Sequence, residues 1–440
     1  MTDTIQRPDL LSLAQEEVVA RLTDHFAAHG ERPYRVRQAL AWLYQRDAMS
    51  FDEMTDLSLA LRQSLAAAFT LAAPETARVE QSTDGTVKHL WKMDDAELLE
   101  SVLIPSPDRL TLCVSSQAGC AMACVFCATG WSGYRRQLTT GEIVAQYRGA
   151  RRWAREHGMG PITNIVFMGM GEPLANRAAV MPALTLLNHA YELGARRITV
   201  STVGVVPGIL ELAERPEQFR LAVSLHAPNE ELRRKLIPLE KKHPLPELMD
   251  ALDRFEEAGG RRITFEYVMI HGVNDELEHA RQLAALVRRF QSHVNLIPFN
   301  PIPGTDWKPT PPDRLKSFAR VLEELGVPAT IRTPRGRDIA AACGQLRAEH
   351  ETKPPKPYLT LVGLTAARRR EPGSVGAESG ETGARETGAR ETGARETGAR
   401  ETGAREAGTR ETGARETGAR EAGTREAGTR EAGTRETGAR

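Results

Sequence analysis

Residues 115–130 read SSQAGCAMACVFCATG, and the cysteines within them, Cys120, Cys124 and Cys127, decide how the whole chain is read. They follow an apolar run, Leu110–Val114, with the character of a strand. Three thiolates from one short loop can hold three corners of an iron–sulfur cube, in which each iron normally takes a cysteine. The fourth iron then lacks a protein ligand, and an open position is where a metal meets substrate. The competing cause of closely spaced cysteines is a zinc knuckle. A closed structural zinc site wants a fourth Cys or His, yet no His lies between His89 and His157 and no Cys follows Cys127 before Cys343. The surroundings favour the cluster.

Outward from this loop, two hydrophobic periods alternate. Strand candidates are Leu110–Val114, Ile162–Met168, Ile198–Thr202, Leu221–Leu225, Ile263–Met269, Val294–Ile297 and Ala329–Arg332. Helices fit between them at Thr140–Glu156, Ala178–Leu193, Pro207–Ala213, Pro244–Ala258, Glu276–Phe290 and Pro312–Leu325. Thr139 or Thr140 with Glu142 supplies an N-terminal cap for the first. Alternating strands and helices imply a parallel sheet with right-handed crossovers. The expected fold is α/β, a partial (βα)6-type barrel over 109–350, with its active groups at the C-terminal ends of the strands.

Residues 1–75 form a separate helical pattern, with Val36, Leu40 and Leu43 on one face of Tyr34–Tyr44. Arg32, Arg35, Arg37 and Arg46 interleave with Tyr34, Trp42 and Tyr44, a mixture suited to RNA backbone contact and base stacking. An ordinary core with a solvated basic face explains the same residues. Residues 76–108 read as a linker with short strands, Val87–Met93 among them. After the barrel comes a C-terminal extension, 351–380. Residues 381–440 are twelve pentads, ETGAR with EAGTR variants. A unit with nothing apolar beyond Ala cannot offset its ordering entropy, so a disordered tail is expected.

The chain has 440 residues, 40% hydrophobic, with 58 basic and 58 acidic side chains. Neutrality excludes a globally basic protein but leaves room for a local basic groove. The N-terminus lacks a charged segment followed by an apolar one, so no secretion is expected. No run nears the roughly eighteen apolar residues of a membrane span. Five cysteines, three of them clustered, argue against a disulfide framework and for a reduced, cytoplasmic setting.

A second motif tests the barrel reading. Ile162–Met168 runs into Gly169-Met170-Gly171-Glu172-Pro173, where glycines let backbone approach a ligand and Glu172 can accept from an ammonium group. Ser201, Ser224 with Leu225 and His226, and Asn300 stand at three further strand ends, the same mouth of the expected barrel.

With Phe126 before the last cysteine, CxxxCxxC resembles the signature of radical S-adenosylmethionine (AdoMet) enzymes. In them the free iron chelates the amino and carboxylate groups of AdoMet, and a GGE-like segment binds its amine. Longer runs are similar to one family of these, the RlmN/Cfr RNA methyltransferases: RPYRVRQALAWLY, SFDEMTDLS, TLCVSSQAGCAMACVFCATG, PITNIVFMGMGEPL, STVGVVPGI, SLHAPNEELRRKLIP, EYVMIHGVND, NLIPFNPIPG and RGRDIAAACGQL. They span about residues 10–350, in order; the pentad tail lies outside.

The resemblance implies a radical SAM barrel with one [4Fe-4S] cluster on Cys120, Cys124 and Cys127. It implies AdoMet contacts at Gly171, Glu172, Ser201, Ser224, Leu225, His226 and Asn300. It also implies Glu100 as proton acceptor, Cys343 as methyl carrier and a transient Cys113–Cys343 disulfide. The implied reaction methylates C2 of adenosine 2503 in 23S rRNA and of adenosine 37 in tRNA. C2 of adenine is electron-poor and has no lone pair to attack a sulfonium, so a carbon radical is required. One AdoMet would methylate the Cys343 thiolate by displacement. A second would give the 5′-deoxyadenosyl radical that takes hydrogen from that methyl, and the methylene radical would add to C2. Cys113 would then resolve the adduct. Implied partners are 23S rRNA, tRNA and an electron donor such as flavodoxin or ferredoxin, with the enzyme a monomer and no membrane involved. Methylation at C8 of the same rRNA adenine, as in the Cfr branch, and a noncatalytic zinc protein that binds RNA remain the alternatives. Phosphate contacts are expected among Arg135, Arg136, Arg233, Arg234, Lys235, Lys241 and Lys242.

Overall fold

The computed structural model describes residues 7–259 and 262–347; the expected C-terminal extension and pentad tail lie outside the described residues. The chain opens with three helices, α1 (Gln15–Ala28), α2 (Tyr34–Tyr44) and α3 (Leu59–Ala68). Their apolar faces bury Val18, Leu22, Phe26, Val36, Leu43, Leu61 and Leu65. Ser58 caps α3 by accepting from Leu61 N–H at 3.2 Å.

Strands β1 (Glu75–Gln81), β2 (Val87–Lys92), β3 (Leu98–Ser106) and β4 (Arg109–Cys113) follow as an antiparallel run. A short hairpin, β5 (Gln117–Gly119) and β6 (Tyr134–Gln137), brackets the cysteine loop and the small helix α4 (Ala128–Trp131). The barrel proper continues with α5 (Thr140–Glu156), β7 (Asn164–Phe167), α6 (Arg177–Thr185), β8 (Ile198–Thr202), α7 (Val206–Ala213) and β9 (Arg220–Ser224). Then come α8 (Glu230–Leu236), α9 (Leu245–Glu257), β10 (Ile263–Met269), α10 (Leu277–Val287), β11 (Ser292–Pro298), α11 (Pro312–Glu324) and β12 (Ala329–Ile331).

All but the hairpin strands join one sheet, in the order β1-β2-β3-β4-β7-β8-β9-β10-β11-β12. From β4 onward every pairing is parallel, and α5, α6, α7, α9, α10 and α11 make the crossovers. This is the expected partial barrel, extended on its β4 side by three antiparallel strands whose pattern was legible only at Val87–Met93. Helix α5 carries the cap anticipated for it: Thr139 Oγ1 accepts from Glu142 N–H at 3.2 Å and Glu142 Oε2 from Thr139 N–H at 2.8 Å. It crosses β2 at Gly149, where a Cβ would stand 2.7 Å from the Trp91 ring. Pro182 interrupts the helix expected over 178–193, which ends at Thr185 and passes into a wider π turn at Leu186–Ala190.

The opening helices join the same hydrophobic core as the barrel, Leu10, Phe26 and Leu43 sharing it with Leu112, Ile143 and Phe167. Asp47, fully buried, accepts from Arg151 Nε on α5 at 2.8 Å. No helix among the described residues is long and apolar enough to cross a membrane.

Candidate active site

The cysteine loop is built by close backbone contact. Gly119, at φ 75°, lies where a Cβ would be 1.9 Å from the Gly133 carbonyl, so the hairpin can close only with glycine there. Cys120 N–H donates to that same carbonyl at 2.8 Å, Val125 N–H to Leu236 O at 3.1 Å, and Trp131 Nε1 to Val125 O at 3.1 Å. Cys120, Cys124 and Cys127 all face one recess at the C-terminal ends of the strands. Burial pushes the Cys120 thiol up to about 12, helped by Cys127, and burial likewise raises Cys124 and Cys127. Such thiols favour losing their protons to a bound metal centre over standing as free thiolates. Among the described residues no three His, Cys, Asp or Glu side chains are grouped to hold a single metal ion. A cube carries its ligands on separate irons and asks for a wider triad, so three thiols around one recess, Cys124 buried and Cys120 and Cys127 half-buried, fit that group.

The Gly-rich segment after β7 forms the adjoining wall. Gly169 packs so closely on Val114 that a Cβ would sit 2.6 Å from its carbonyl oxygen, and Gly171 takes φ 100° against Gln117. Gln117 Oε1 accepts from Glu172 N–H at 2.7 Å, and Ser115 Oγ from Met170 N–H at 2.8 Å. The Glu172 carboxylate accepts from Leu174 N–H at 3.0 Å and Val203 N–H at 2.8 Å. Burial nonetheless lifts it to about 7, against those backbone bonds and one from Thr202. A buried carboxyl with donors but no cation beside it suits a cationic ligand.

Ser201 and Ser224 end β8 and β9 with their hydroxyls 3.5 Å apart. His226 adopts φ 58°. Its Nδ1 accepts from Val268 N–H at 3.0 Å, which leaves Nε2 to carry the proton. Burial first, then Arg233, depresses it to about 3, so the ring is neutral, with Phe126 edge-on at 4.5 Å. Gly171, Glu172, Ser201, Ser224, His226, Asn300 and Cys343 line the recess with the three cysteines. Leu225 does not; it is fully buried and its N–H donates to Glu266 O at 3.1 Å. The recess leaves about 150 Å3 of room for water-sized molecules between these side chains.

Cys343 sits on a loop tied directly to the cysteine triad. Ala128 N–H donates to Gly344 O at 2.7 Å and Thr129 Oγ1 to Leu346 O at 2.5 Å. Cys113, at the end of β4, is buried in a small apolar cluster with Ala341 and Leu346 from the same loop. Burial, then the neighbouring Cys343, pushes its thiol up to about 12. Glu100 lies outside the recess lining. It pairs with Lys88 Nζ at 3.1 Å, and its Oε2 accepts from Arg347 N–H at 2.8 Å.

Two groups that sequence reading passed over also line the recess, Glu266 on β10 and Arg332 just past β12. Glu266 is raised by burial, and its Oε1 accepts from Asn295 Nδ2 at 3.0 Å. Arg332 is held protonated by Cys343 first, and also by Glu266 and Cys113. Only the inward alternation of β10 and the strand-end rule could have pointed to them.

The expected phosphate contacts fare differently. Arg233 is buried against Glu240 and cannot meet RNA. Arg135 pairs with Glu97 at 3.4 Å, Arg136 with Glu142 at 2.8 Å, Arg234 with Glu230 at 3.5 Å and Lys235 with Glu231 at 2.6 Å. Lys241 and Lys242 are exposed. In the opening helices Tyr44 is buried and Trp42 lies under Arg46 at 4.3 Å.

Comparison with known proteins accords with this geometry. The sequence model of the radical SAM superfamily matches residues 114–284, and that of the ribosomal RNA large subunit methyltransferase N-terminal domain matches 9–71. A Gemmatimonas aurantiaca protein named probable dual-specificity RNA methyltransferase RlmN is 51% identical over 344 residues, 78% of this chain and 94% of its own. The dual-specificity RNA methyltransferase RlmN of an Anaeromyxobacter species is 48% identical over 366 residues, 81% of this chain and 96% of its own. The crystal structure of a radical SAM methyltransferase from Sphaerobacter thermophilus superposes with a TM-score of 0.74 at 48% identity, covering 78% of this chain and all of that one. The chain therefore belongs to the RlmN family of radical SAM enzymes.

Proposed function

We propose that this chain methylates C2 of adenosine 2503 in 23S rRNA and of adenosine 37 in tRNA. The observation that carries this is the gathering of the Cys120, Cys124 and Cys127 thiols, a Gly-Glu ligand cradle and the Cys343 loop around one recess at the barrel mouth. Cys120, Cys124 and Cys127 would hold a [4Fe-4S] cluster, which supplies the electron that cleaves AdoMet homolytically. Glu172 would accept from the AdoMet ammonium, with Gly171 allowing the approach. Ser201, Ser224, neutral His226 and Asn300 offer hydrogen bonds to the remaining polar groups; Leu225, its N–H already bonded to Glu266 O, stays outside the recess.

Cys343 would act first as nucleophile, its thiolate taking a methyl while the sulfonium carbon–sulfur bond breaks. The Arg332 guanidinium lines the same recess as Cys343. A second AdoMet per turnover is consumed when the methyl on Cys343 loses a hydrogen atom and its carbon bonds to C2. Glu100 would take the C2 proton. Its Oε2 accepts from Arg347 N–H, which ties it to the loop that carries Cys343. The adduct radical would also give up one electron, back to the cluster left oxidised by AdoMet cleavage. Cys113 thiolate would then attack Cys343 sulfur, the sulfur–carbon bond breaking as the departing carbon takes a proton, to release methylated RNA and leave a disulfide for external reduction. A flavodoxin or ferredoxin is the proposed electron donor, and the enzyme is proposed to act as a cytoplasmic monomer.

Nucleoside mass spectrometry tests the reading. The protein, reconstituted without oxygen, is incubated with 23S rRNA fragments, tRNA, AdoMet and reductant. The expected product is 2-methyladenosine in both RNAs. 8-Methyladenosine would move the chain to the Cfr reaction, and the absence of any methylated adenosine would overturn both.

A further inference from the structure

The barrel has a second recess at its other end. Arg109 and Arg220 begin β4 and β9, Arg262 precedes β10, and Arg196 precedes β8. With His293 of β11 they line a concavity of about 650 Å3. All these strands run parallel, so this opening faces away from the mouth that gathers the cysteines. Among the described residues no Asp or Glu lines it.

Four guanidinium groups converge there without compensation. Some surface arginines elsewhere pair with carboxylates, as Arg152 does with Glu53 and Arg177 with Glu211. Among the described residues Arg109, Arg196, Arg220 and Arg262 take part in no ion pair; Arg196 bonds the Gln218 side chain instead, at 2.9 Å. Like charges in one concavity repel, and low-dielectric walls strengthen the field they share. His293 registers that field: burial, and then Arg262, lowers its pKa, against one bond to Asn295. Its Nε2 lies 2.8 Å from Thr330 Oγ1. A packed barrel would close this end with apolar side chains. Here it is left open, polar and positive.

We propose that this recess is a binding site for phosphate oxyanions, separate from the site around Cys120. Guanidinium forks match phosphate oxygens two at a time. One carboxylate would leave most of the positive charge unmatched, whereas a chain of phosphates carries several negative charges in a compact length. The two sources of such chemistry are a free polyphosphate, nucleotides included, and the backbone of an RNA strand reaching round the barrel.

Calorimetric titration of the full-length protein at about 0.15 M salt tests this, with tripolyphosphate and short oligouridine as separate probes. Saturable binding of tripolyphosphate is expected, weakened about tenfold or more when Arg220→Gln and Arg262→Gln are combined, as charge-assisted bonds require. Arg320→Gln, on an exposed face of α11, should change nothing. Tripolyphosphate binding without oligouridine binding assigns the site to free polyphosphates; oligouridine binding with the same sensitivity assigns it to RNA. If the double variant melts early, Arg109→Gln with Arg196→Gln takes its place. No saturable binding of either probe, or binding indifferent to both pairs of substitutions, overturns the proposal.

Discussion

Asn300 is bonded at both ends of its amide to the loop that carries Cys343: Nδ2 donates to the Cys343 carbonyl at 3.0 Å, and Oδ1 accepts from Arg337 Nε at 2.9 Å. A side chain of the recess wall thus also anchors the loop that holds Cys343, the proposed methyl acceptor. Asn300→Ala is expected to slow methylation of Cys343 about tenfold, the scale of one or two lost hydrogen bonds. Peptide mass spectrometry after timed incubation with AdoMet measures it, and iron content should stay at the parent level. An unchanged rate would show that the loop holds its place without Asn300.

The two remaining thiols separate by the step at which each fails. Cys343→Ala is expected to assemble the cluster normally yet give neither methylated protein nor methylated RNA. Cys113→Ala should still allow methylation of Cys343, then stall with RNA attached to protein, visible as a slow band on denaturing gels. Repeated turnover by either variant contradicts the relay.

Much of this was legible because the signals are local. The cysteine spacing, the Gly-rich turn after β7 and the alternation of periods each depend on residues close in sequence, and Ile198–Thr202 and Ile263–Met269 are strands with the bounds their pattern gave. What escaped is what only the tertiary structure brings together. The antiparallel strands β1 and β3 carry little apolar alternation because β1 is an exposed edge and β3 is buried along much of its length. Arg233 looked like a surface cation in the run Arg233-Arg234-Lys235, but α8 turns it inward onto Glu240, a partner that charge counting could not supply. Glu100 carries no local signal of its pairing, because Lys88 and Arg347 reach it from a neighbouring strand and from 247 residues further along the sequence.

Glu172→Gln keeps the shape of the cradle but not its charge. AdoMet binding, followed by equilibrium dialysis on the cluster-loaded protein, is expected to weaken about tenfold or more, since charge-assisted bonds are roughly twice as strong as neutral ones. Stability should move the other way. Folding raises the carboxyl from 4.5 to about 7, so its contribution is fully present below 4.5 and lost as pH rises through 7. Ligand-free variant should therefore melt at or above the parent at pH 8, with no advantage at pH 4.

Asp47→Ala tests the docking of the opening helices on α5. The carboxylate is fully buried and serves both Arg151, at 2.8 Å, and Arg155, at 3.4 Å. Its loss leaves Arg151 half-buried beside Tyr147 and Tyr191 without a counter-charge, which is expected to cost about 3 kcal/mol in urea unfolding. Because Asp47 has φ 58°, Asp47→Gly should lose less than Asp47→Ala, by up to about 1 kcal/mol.

His89 makes the fold acid-sensitive. Its ring is fully buried, stacked on Trp91 at 4.9 Å with 2° between planes, and edge-on to Trp153 at 5.2 Å. Neither ring nitrogen has a hydrogen-bond partner, so a proton there would be an unpaired buried charge. Burial first, then His157, lowers its pKa from 6.5 to about 4. Between those values the unfolded chain binds the proton and the folded one does not, so stability present above 6.5 drains away as pH falls towards 4. The slope due to this one group is about 1.4 kcal/mol per pH unit. His89→Phe keeps the ring in the Trp91 stack and removes the titration, so its urea midpoint should fall less steeply than the parent's between pH 6.5 and 4. Equal slopes in the two proteins would mean that His89 takes up its proton in the folded state as readily as in the unfolded one.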